Sequence, residues 1–365
     1  MSFILYLFTA FIALSVMVFI HELGHFIVAR INGVKVERFS IGFGKILARR
    51  ECCSTEWAFS MIPLGGYVKM KGQDDSDPLS RNYDSDSYGA KKPWQRITIL
   101  LAGPLANIVL AFFIYLYLAL SGAPLIAAKD YIAPVVGEVS PDSPAQKAGL
   151  EKGDLILAIG EHKIRYWYEI GEYIQQEADP VDITIERGGK IMRFSLSTKT
   201  IDDRNEFQQS IKRRIIGIAP EIERDIVIRF GLRDALFYAY NETKKASFLI
   251  VRGIKKMLTG EVASSNVGGP ITIFDLIMKF AQAGFAYLLF ITALLSVNLG
   301  VLNLLPIPAL DGGHILFNLY EIISGKEPSE LAYYRLTLLG WAILAALMFL
   351  GFYNDINRLT GGVDG

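Results

Sequence analysis

Residues 3–25 read FILYLFTAFIALSVMVFIHELGH, and the fold turns on how this stretch is interpreted. Phe3 to Ile20 carries no charge and is interrupted only by Thr9 and Ser15. At about 1.5 Å per residue the run covers most of a roughly 30 Å hydrocarbon core, which predicts a spanning helix. A cleaved signal peptide is the competing reading. The run has neither a basic flank nor a small-residue cleavage site and continues into His21, Glu22 and His25, so it is expected to stay as an anchor. Ile97 to Leu120, Phe285 to Leu305 and a shorter Leu336 to Phe352 predict three further spans.

Composition agrees with a bilayer. With 52% hydrophobic and 20% charged residues among 365, the chain is too apolar for disorder and out of keeping with a soluble enzyme. Lys+Arg and Asp+Glu are equal at 37 each, so there is no global basic field for nucleic acid, and the lipid bilayer is the expected environment. Cys52 and Cys53 are adjacent, which suits neither a disulfide framework nor a spaced zinc knuckle; they read as ordinary thiols on a reduced loop.

Orientation follows from the cations. No Lys or Arg precedes Arg30, whereas Lys35, Arg38, Lys45, Arg49, Arg50, Lys69, Lys71, Arg81, Lys91, Lys92 and Arg96 crowd the segment between the first two spans, which places it in the cytoplasm. Both termini and the long segment from Ser121 to about Gly284 then lie outside.

His21-Glu22-Leu23-Gly24-His25 sets two imidazoles at i and i+4 on one helical face with a carboxylate beside them. Zn²⁺ accepts two such nitrogens, leaves room for a third protein ligand and a water, and lets the glutamate take the water's proton. A surface helix with polar residues is the alternative. Ionisable groups at the end of an apolar span are costly in lipid and favour the metal. Val28 and Ile31 stand where a metzincin would need Gly and His, so the third ligand comes from elsewhere. Of the four histidines, His162 falls in the external segment and reads as a surface residue.

The third span ends in Asn303-Leu304-Leu305-Pro306-Ile307-Pro308-Ala309-Leu310-Asp311-Gly312-Gly313-His314. Two prolines spaced by one residue cannot continue a helix, so the chain unwinds within the membrane, which requires a protein-lined or wet cavity. Asp311 would complete two nitrogens and one oxygen with an open fourth position. His314 is the competing ligand, or a partner of one, and a solvated Asp after a Pro/Gly stop is the plain alternative.

Together the two motifs resemble the site-2 proteases, intramembrane zinc metalloproteases, and most closely their bacterial regulator-of-sigma-E-protease branch. The resemblance implies His21, His25 and Asp311 as zinc ligands and Glu22 as catalytic base. It implies that Asn303 holds the substrate backbone and that Pro306 and Pro308 shape the Asp loop. Gly42-Phe43-Gly44 and Ile62-Pro63-Leu64-Gly65-Gly66-Tyr67 resemble the family's membrane re-entrant β-hairpin, with Gly65 and Gly66 positioning substrate. Gly103-Pro104-Leu105-Ala106-Asn107 and Gly269-Pro270-Ile271 resemble two more signatures; read singly they are turns or packing sites, with Asn107 an interhelical hydrogen bond.

Outside the membrane, Ser143-Pro144-Ala145 to Asp154-Leu155-Ile156, followed by strands such as Asp182 to Glu186 and a Gly188-Gly189 turn, resembles a PDZ domain. Such domains add a peptide strand to a sheet edge, and Pro134 to Gly137 would face its carboxylate. Some relatives carry two such modules; Asp130 to about Glu223 has room for one. Asp234 to Thr259 reads as an amphipathic helix at the outer membrane face or packed on the module.

The expected fold is therefore a multi-pass α-helical membrane protein of about four transmembrane helices with a re-entrant β-hairpin and one α/β PDZ-like domain. Its expected segments are 1–30, the first helix with HExxH; 31–96, cytoplasmic with the hairpin; 97–121, the second helix; 122–223, the PDZ-like domain; 224–284, interfacial; 285–314, the third helix with the Asp loop; and 315–365, the fourth helix and C-terminus. The expected activity is zinc-dependent cleavage of the transmembrane segment of a single-span membrane protein in a bacterial inner membrane. The site would lie toward the cytoplasm, with a peptide or protein ligand on the external module. A zinc transporter would want inverted repeats and more spans. A silent scaffold for peptide capture would leave the intramembrane polar groups without a purpose.

Overall fold

The apolar run that begins at Phe3 is helical, but the helix does not stop where the run does. In the computed structural model, which describes residues 3–73, 84–124, 129–205, 207, 209–221, 228–263, 265 and 267–360, α1 spans Phe3–Ile31. Its 29 residues reach about 43 Å, so His21 and His25 sit well inside a continuous helix rather than at its end. Further helices are α2, Pro93–Ser121, α7, Phe285–Asn303, and α9, Glu330–Leu359. These with α1 are the 4 described helices long and apolar enough to cross a bilayer, and the chain is a multi-pass membrane protein. The last helix is much longer than its apolar stretch. Ser329 caps it by accepting from Ala332 N at 3.3 Å, and Tyr333, Tyr334 and Tyr353 extend it beyond the span read from hydropathy.

The chain divides into two units, Met1–Leu118 with Ala239–Gly365, and Ala119–Tyr238. In the first, β1, Val36–Cys52, and β2, Thr55–Met70, pair in three runs: residues 38–41 lie antiparallel to 66–69 and, on their other side, run in the same direction as 56–59, while residues 48–52 lie antiparallel to 55–59. Phe39 pairs with both Val68 and Trp57, and Ser40 with both Tyr67 and Ala58; the far half of β1 pairs again with β2, as Arg50 with Trp57. The hairpin is thus folded on itself, and residues 66–70 form an outer rung. Gly42 and Gly44, both at φ +86°, allow the bend; a Cβ at Gly42 would stand 2.6 Å from the Ile62 carbonyl oxygen. Phe26 of α1 meets Phe39 and Trp57 edge-on, at 5.7 and 5.2 Å, and seats the hairpin on the helix.

The C-terminal part holds α5, Leu232–Leu258, α6, Pro270–Ala283, and, after α7, α8, Asp311–Ser324. Asp355 near the end of α9 caps α6, accepting from Gly269 N at 3.0 Å and Ile271 N at 2.9 Å. Gly269 is needed there because a Cβ would meet the Gly351 carbonyl carbon at 2.5 Å.

The second unit is α/β. Its strands are β3, Val136–Val139, β4, Leu155–Ile159, β5, His162–Lys163, β6, Val181–Arg187, β7, Lys190–Leu196, β8, Lys199–Arg204, β9, Ser210–Ile215, and β10, Ile218–Pro220. Its helices are α3, Pro144–Ala148, and α4, Trp167–Gln176. The main sheet is ordered β5-β4-β6-β7, and β3 pairs with β10. Alternation in β6 turns Val181, Ile183 and Ile185 onto Ile156, Ile159, Ile170 and Ile174, all buried. Ser143 and Gly149 cap α3 at its two ends, so the Ser-Pro-Ala signature is a helix start. Around Pro134 to Gly137 several backbone groups are already engaged. Val136 N donates to Asp154 O at 2.9 Å, Ile156 N to Pro134 O at 2.9 Å and Glu221 N to Val135 O at 3.2 Å, so this backbone is used inside the unit.

Asp154, whose side chain is 0% exposed, is gripped by Arg187 at 2.6 and 2.8 Å and by Glu151 N at 2.8 Å. Burial pushes its carboxyl up, but the Arg187 hydrogen bonds, the Glu151 amide and the Arg187 charge outweigh it and hold the group below the usual carboxylate range. A lowered folded-state pKa stabilises above the unfolded value of about 3.9 and ceases to as pH falls through the folded value. Asp154→Asn should therefore cost on the order of 2 kcal/mol at neutral pH, less than a fully buried pair because Arg187 is 27% exposed. Amide exchange across β4, β6 and β7 of the full chain should show the loss at pH 7 and a smaller difference below about pH 4. Equal protection in both proteins at pH 7 would refute it.

Candidate metal centre

Two turns of α1 and the loop after α7 meet at one point. His21 Nε2 and His25 Nε2 lie 3.2 Å apart, as helical i, i+4 spacing allows, and Asp311 Oδ2 lies 3.2 Å from the first and 3.5 Å from the second. Ligands held about 2.0–2.1 Å from a tetrahedral zinc stand about 3.3–3.4 Å apart, so these three atoms already outline one face of such a site. Both histidines are buried. Each ring is also held from behind. His25 Nδ1 donates to the Ile99 carbonyl at 2.8 Å, which leaves its Nε2 lone pair toward the cluster.

His21 Nδ1 lies 3.2 Å from Asn107 Nδ2, while Asn107 Oδ1 is buried without a partner. A half-turn of that amide, whose oxygen and nitrogen occupy nearly the same space, brings Oδ1 to the His21 Nδ1–H. The turn satisfies the orphaned oxygen and gives His21 the tautomer a metal requires. Ser296 Oγ, donating to the Asn107 carbonyl at 2.8 Å, ties the same residue to α7. The donor set, its spacing and this orphan all fit zinc.

Asp311 is presented by a broken backbone. Ile307 N donates to Leu305 O at 2.7 Å and Leu310 N to Ile307 O at 2.8 Å, a tight path through Pro306 and Pro308 that ends at the first residue of α8. Gly313 lets α8 approach this loop; a Cβ there would stand 2.5 Å from Pro308 Cα.

The cluster opens into a cavity of about 340 Å³. Glu22, Gly66, Tyr67, Val68, Asn303 and Asp311 are among its walls. Asn303 Nδ2 is 3.4 Å from His21 Nε2. Gly65, at φ +109°, instead lies under the Phe43 ring and, like Pro306 and Pro308, is outside the lining. His314 is removed from the cluster: its Nδ1 meets the Tyr333 hydroxyl at 2.9 Å beside a separate cavity of about 50 Å³. His162 stacks on Tyr173 at 4.3 Å in the second unit.

Residues 9–347 match the profile of peptidase family M50. The chain belongs to that family, the site-2 proteases. It is 46% identical over 350 residues to a provisionally named zinc metalloprotease of Campylobacter jejuni, covering 96% of this chain and 93% of the relative. A Helicobacter pylori protein with the same provisional name is 38% identical over 355 residues, 96% and 99% of the two chains. A regulator of sigma E protease of Salmonella typhi is 31% identical over 441 aligned positions, covering 95% of this chain and 97% of the relative. That alignment is longer than the 365 residues of this chain, so the Salmonella protein carries segments this M50 peptidase lacks. M50 peptidases are zinc-dependent, and this one is a zinc metalloprotease.

For this M50 peptidase, sequence reasoning singles out Gly103 and Asn107 but does not tell which face of α2 they occupy. Both turn toward α1, Asn107 onto one imidazole and Gly103 onto the other. Ile99 leaves no signal at all, since its contribution is a carbonyl.

Proposed function

We propose that this M50 peptidase cuts the transmembrane segment of a single-span membrane protein, with zinc held by His21, His25 and Asp311 and Glu22 as general base. The observation that carries the reading is the clustering of those three donors on a spanning helix and at the broken end of another. Zinc, when bound, supplies a Lewis acid and a water of lowered pKa. Glu22 takes the proton of the attacking water and passes it to the leaving amine. Asn303 donates to the substrate backbone. A helical substrate hides its carbonyls, so it must be drawn out as a strand, and residues 66–70 offer an outer rung beside Glu22 for it to pair with. Gly66 keeps that rung free of side-chain bulk; Gly65, Pro306 and Pro308 act by shaping the backbone around it. The hairpin is read as re-entrant, since exposed Phe43, Phe59, Met61 and Ile62 give its tip an apolar surface.

The distribution of Lys and Arg supports both termini outside the cytoplasm and the site toward it, and the bacterial sources of the relatives support an inner membrane as the location. The second unit is read as one PDZ-like module that admits substrates already shortened by another protease, with a peptide or protein as its ligand. Its strand alternation, capped α3 and glycine turns support that reading. The decisive test is a purified chain with a reporter carrying one apolar helix between soluble tags. A chelator should stop cleavage, zinc alone should restore it, and mass spectrometry should place the cut within the apolar helix. Cleavage by metal-stripped protein, or a cut confined to the flanks, would overturn the proposal.

A further inference from the structure

The cavity at the metal cluster has a larger neighbour. A groove of about 720 Å³ is lined by Phe26, Ile27, Arg30 and Ile31 of α1 and by Arg50, Cys52, Cys53 and Trp57 of the hairpin. The 3.6-residue period puts its helical wall on the far side of α1 from the two imidazoles. Its volume falls within the about 300–1,000 Å³ of sites that hold a small ligand. The walls are mostly apolar: Phe26 and Trp57 pack edge-on at 5.2 Å, and Ile27 and Ile31 are exposed on a helix that crosses the bilayer. Two guanidiniums border this apolar slot, one from the helix and one from the strand. Neither Arg30 nor Arg50 has a hydrogen bond or an ion pair with a carboxylate among the described residues.

We propose that the groove binds one anionic phospholipid of the surrounding bilayer, its phosphate taken by Arg30 and Arg50 and an acyl chain lying along Phe26, Ile27, Ile31 and Trp57. Unpaired arginines are matched to phosphate oxygens by their planar, two-pronged donors, and basic pockets beside spanning helices are where acidic lipid headgroups settle. The charge selects an anionic headgroup, and the apolar walls select a lipid over a free phosphate. A lipid so placed braces the hairpin against the helix that carries His21 and His25. The site needs only that α1 spans the bilayer, so it stands apart from the proposed protease chemistry.

Cys52 and Cys53 are exposed at the groove and give it a reporter. The full chain is placed in nanodiscs of phosphatidylcholine with and without phosphatidylglycerol, and maleimide labelling of the two thiols is timed. Phosphatidylglycerol should slow labelling several-fold. In native mass spectrometry, Arg30→Gln with Arg50→Gln should lower phosphatidylglycerol retention at least tenfold, whereas Lys45→Gln with Arg49→Gln, exposed cations outside the groove, should not. Equal labelling in both lipids would overturn the site. So would equal loss in both variant pairs, which marks diffuse surface charge, or equal protection by soluble glycerophosphoglycerol, which marks a phosphate site without a chain. The labelling arm uses the wild-type protein and does not depend on any variant folding.

Discussion

Glu22→Gln should lower the turnover number by about 10²–10⁴-fold while leaving zinc content unchanged. The carboxylate lies in the cavity wall beside the metal cluster but is not one of its three donors. The amide matches the carboxylate in size and shape, so the side chain keeps its place in the cavity wall. What it loses is the ability to remove a proton. Substrate pairing along residues 66–70 does not involve the charge, so KM should move little while the chemical step collapses. Zinc per chain, single-turnover rate and KM measured on one preparation separate the outcomes. If zinc leaves with activity, Glu22 organises the metal site; if activity stays, the base is another group and the assignment is wrong.

The membrane helices and the pairing of two imidazoles were legible because each depends on local periodicity. Asp311 was legible as a candidate because two prolines break a helix at a depth where broken backbone needs a reason. The choice between Asp311 and His314 was not, since residues i and i+3 share a helical face and either could have turned inward. The Tyr333 hydroxyl, supplied from the next helix, α9, separates them. The doubled pairing of the hairpin was hidden for a similar reason: Gly42-Phe43-Gly44 points to a hairpin but not to its register, and the bend the glycines permit makes residues 66–70 an outer rung at the cavity. The length of α9 was missed because hydropathy counts apolar residues, and a helix continues through tyrosines and charges that it does not count. The used backbone at Pro134 to Gly137 could not be seen either, because its partners, Asp154 and Glu221, are remote in sequence.

Gly103→Ala should weaken zinc binding by about 10–100-fold, although on an isolated helix the same change is stabilising by about 1 kcal/mol. Gly103 and Ile99 stand one turn apart on α2 and hold the His25 ring between them. The Ile99 carbonyl fixes Nδ1 at 2.8 Å, and a methyl on Gly103 would land on the ring, 2.6 Å from Cε1 and closer still to Nε2. The ring has no free direction in which to yield without giving up either its carbonyl or its place opposite Asp311. Nor can the helices part cheaply. At Gly24 a Cβ would stand 2.8 Å from the Ala102 carbonyl carbon and 2.9 Å from Ala106 Cβ, so α1 and α2 already touch through small residues, the usual means of close approach in a bilayer. Leu105→Ala, at a side chain 48% exposed on the same helix, is the control and should keep its zinc. The informative pattern is metal loss in Gly103→Ala with helical content and thermal unfolding of the apo protein unchanged. A Gly103→Ala protein that retains stoichiometric zinc against a competing chelator would show that α2 does not confine the His25 ring, and that Gly103 has no part in holding the metal.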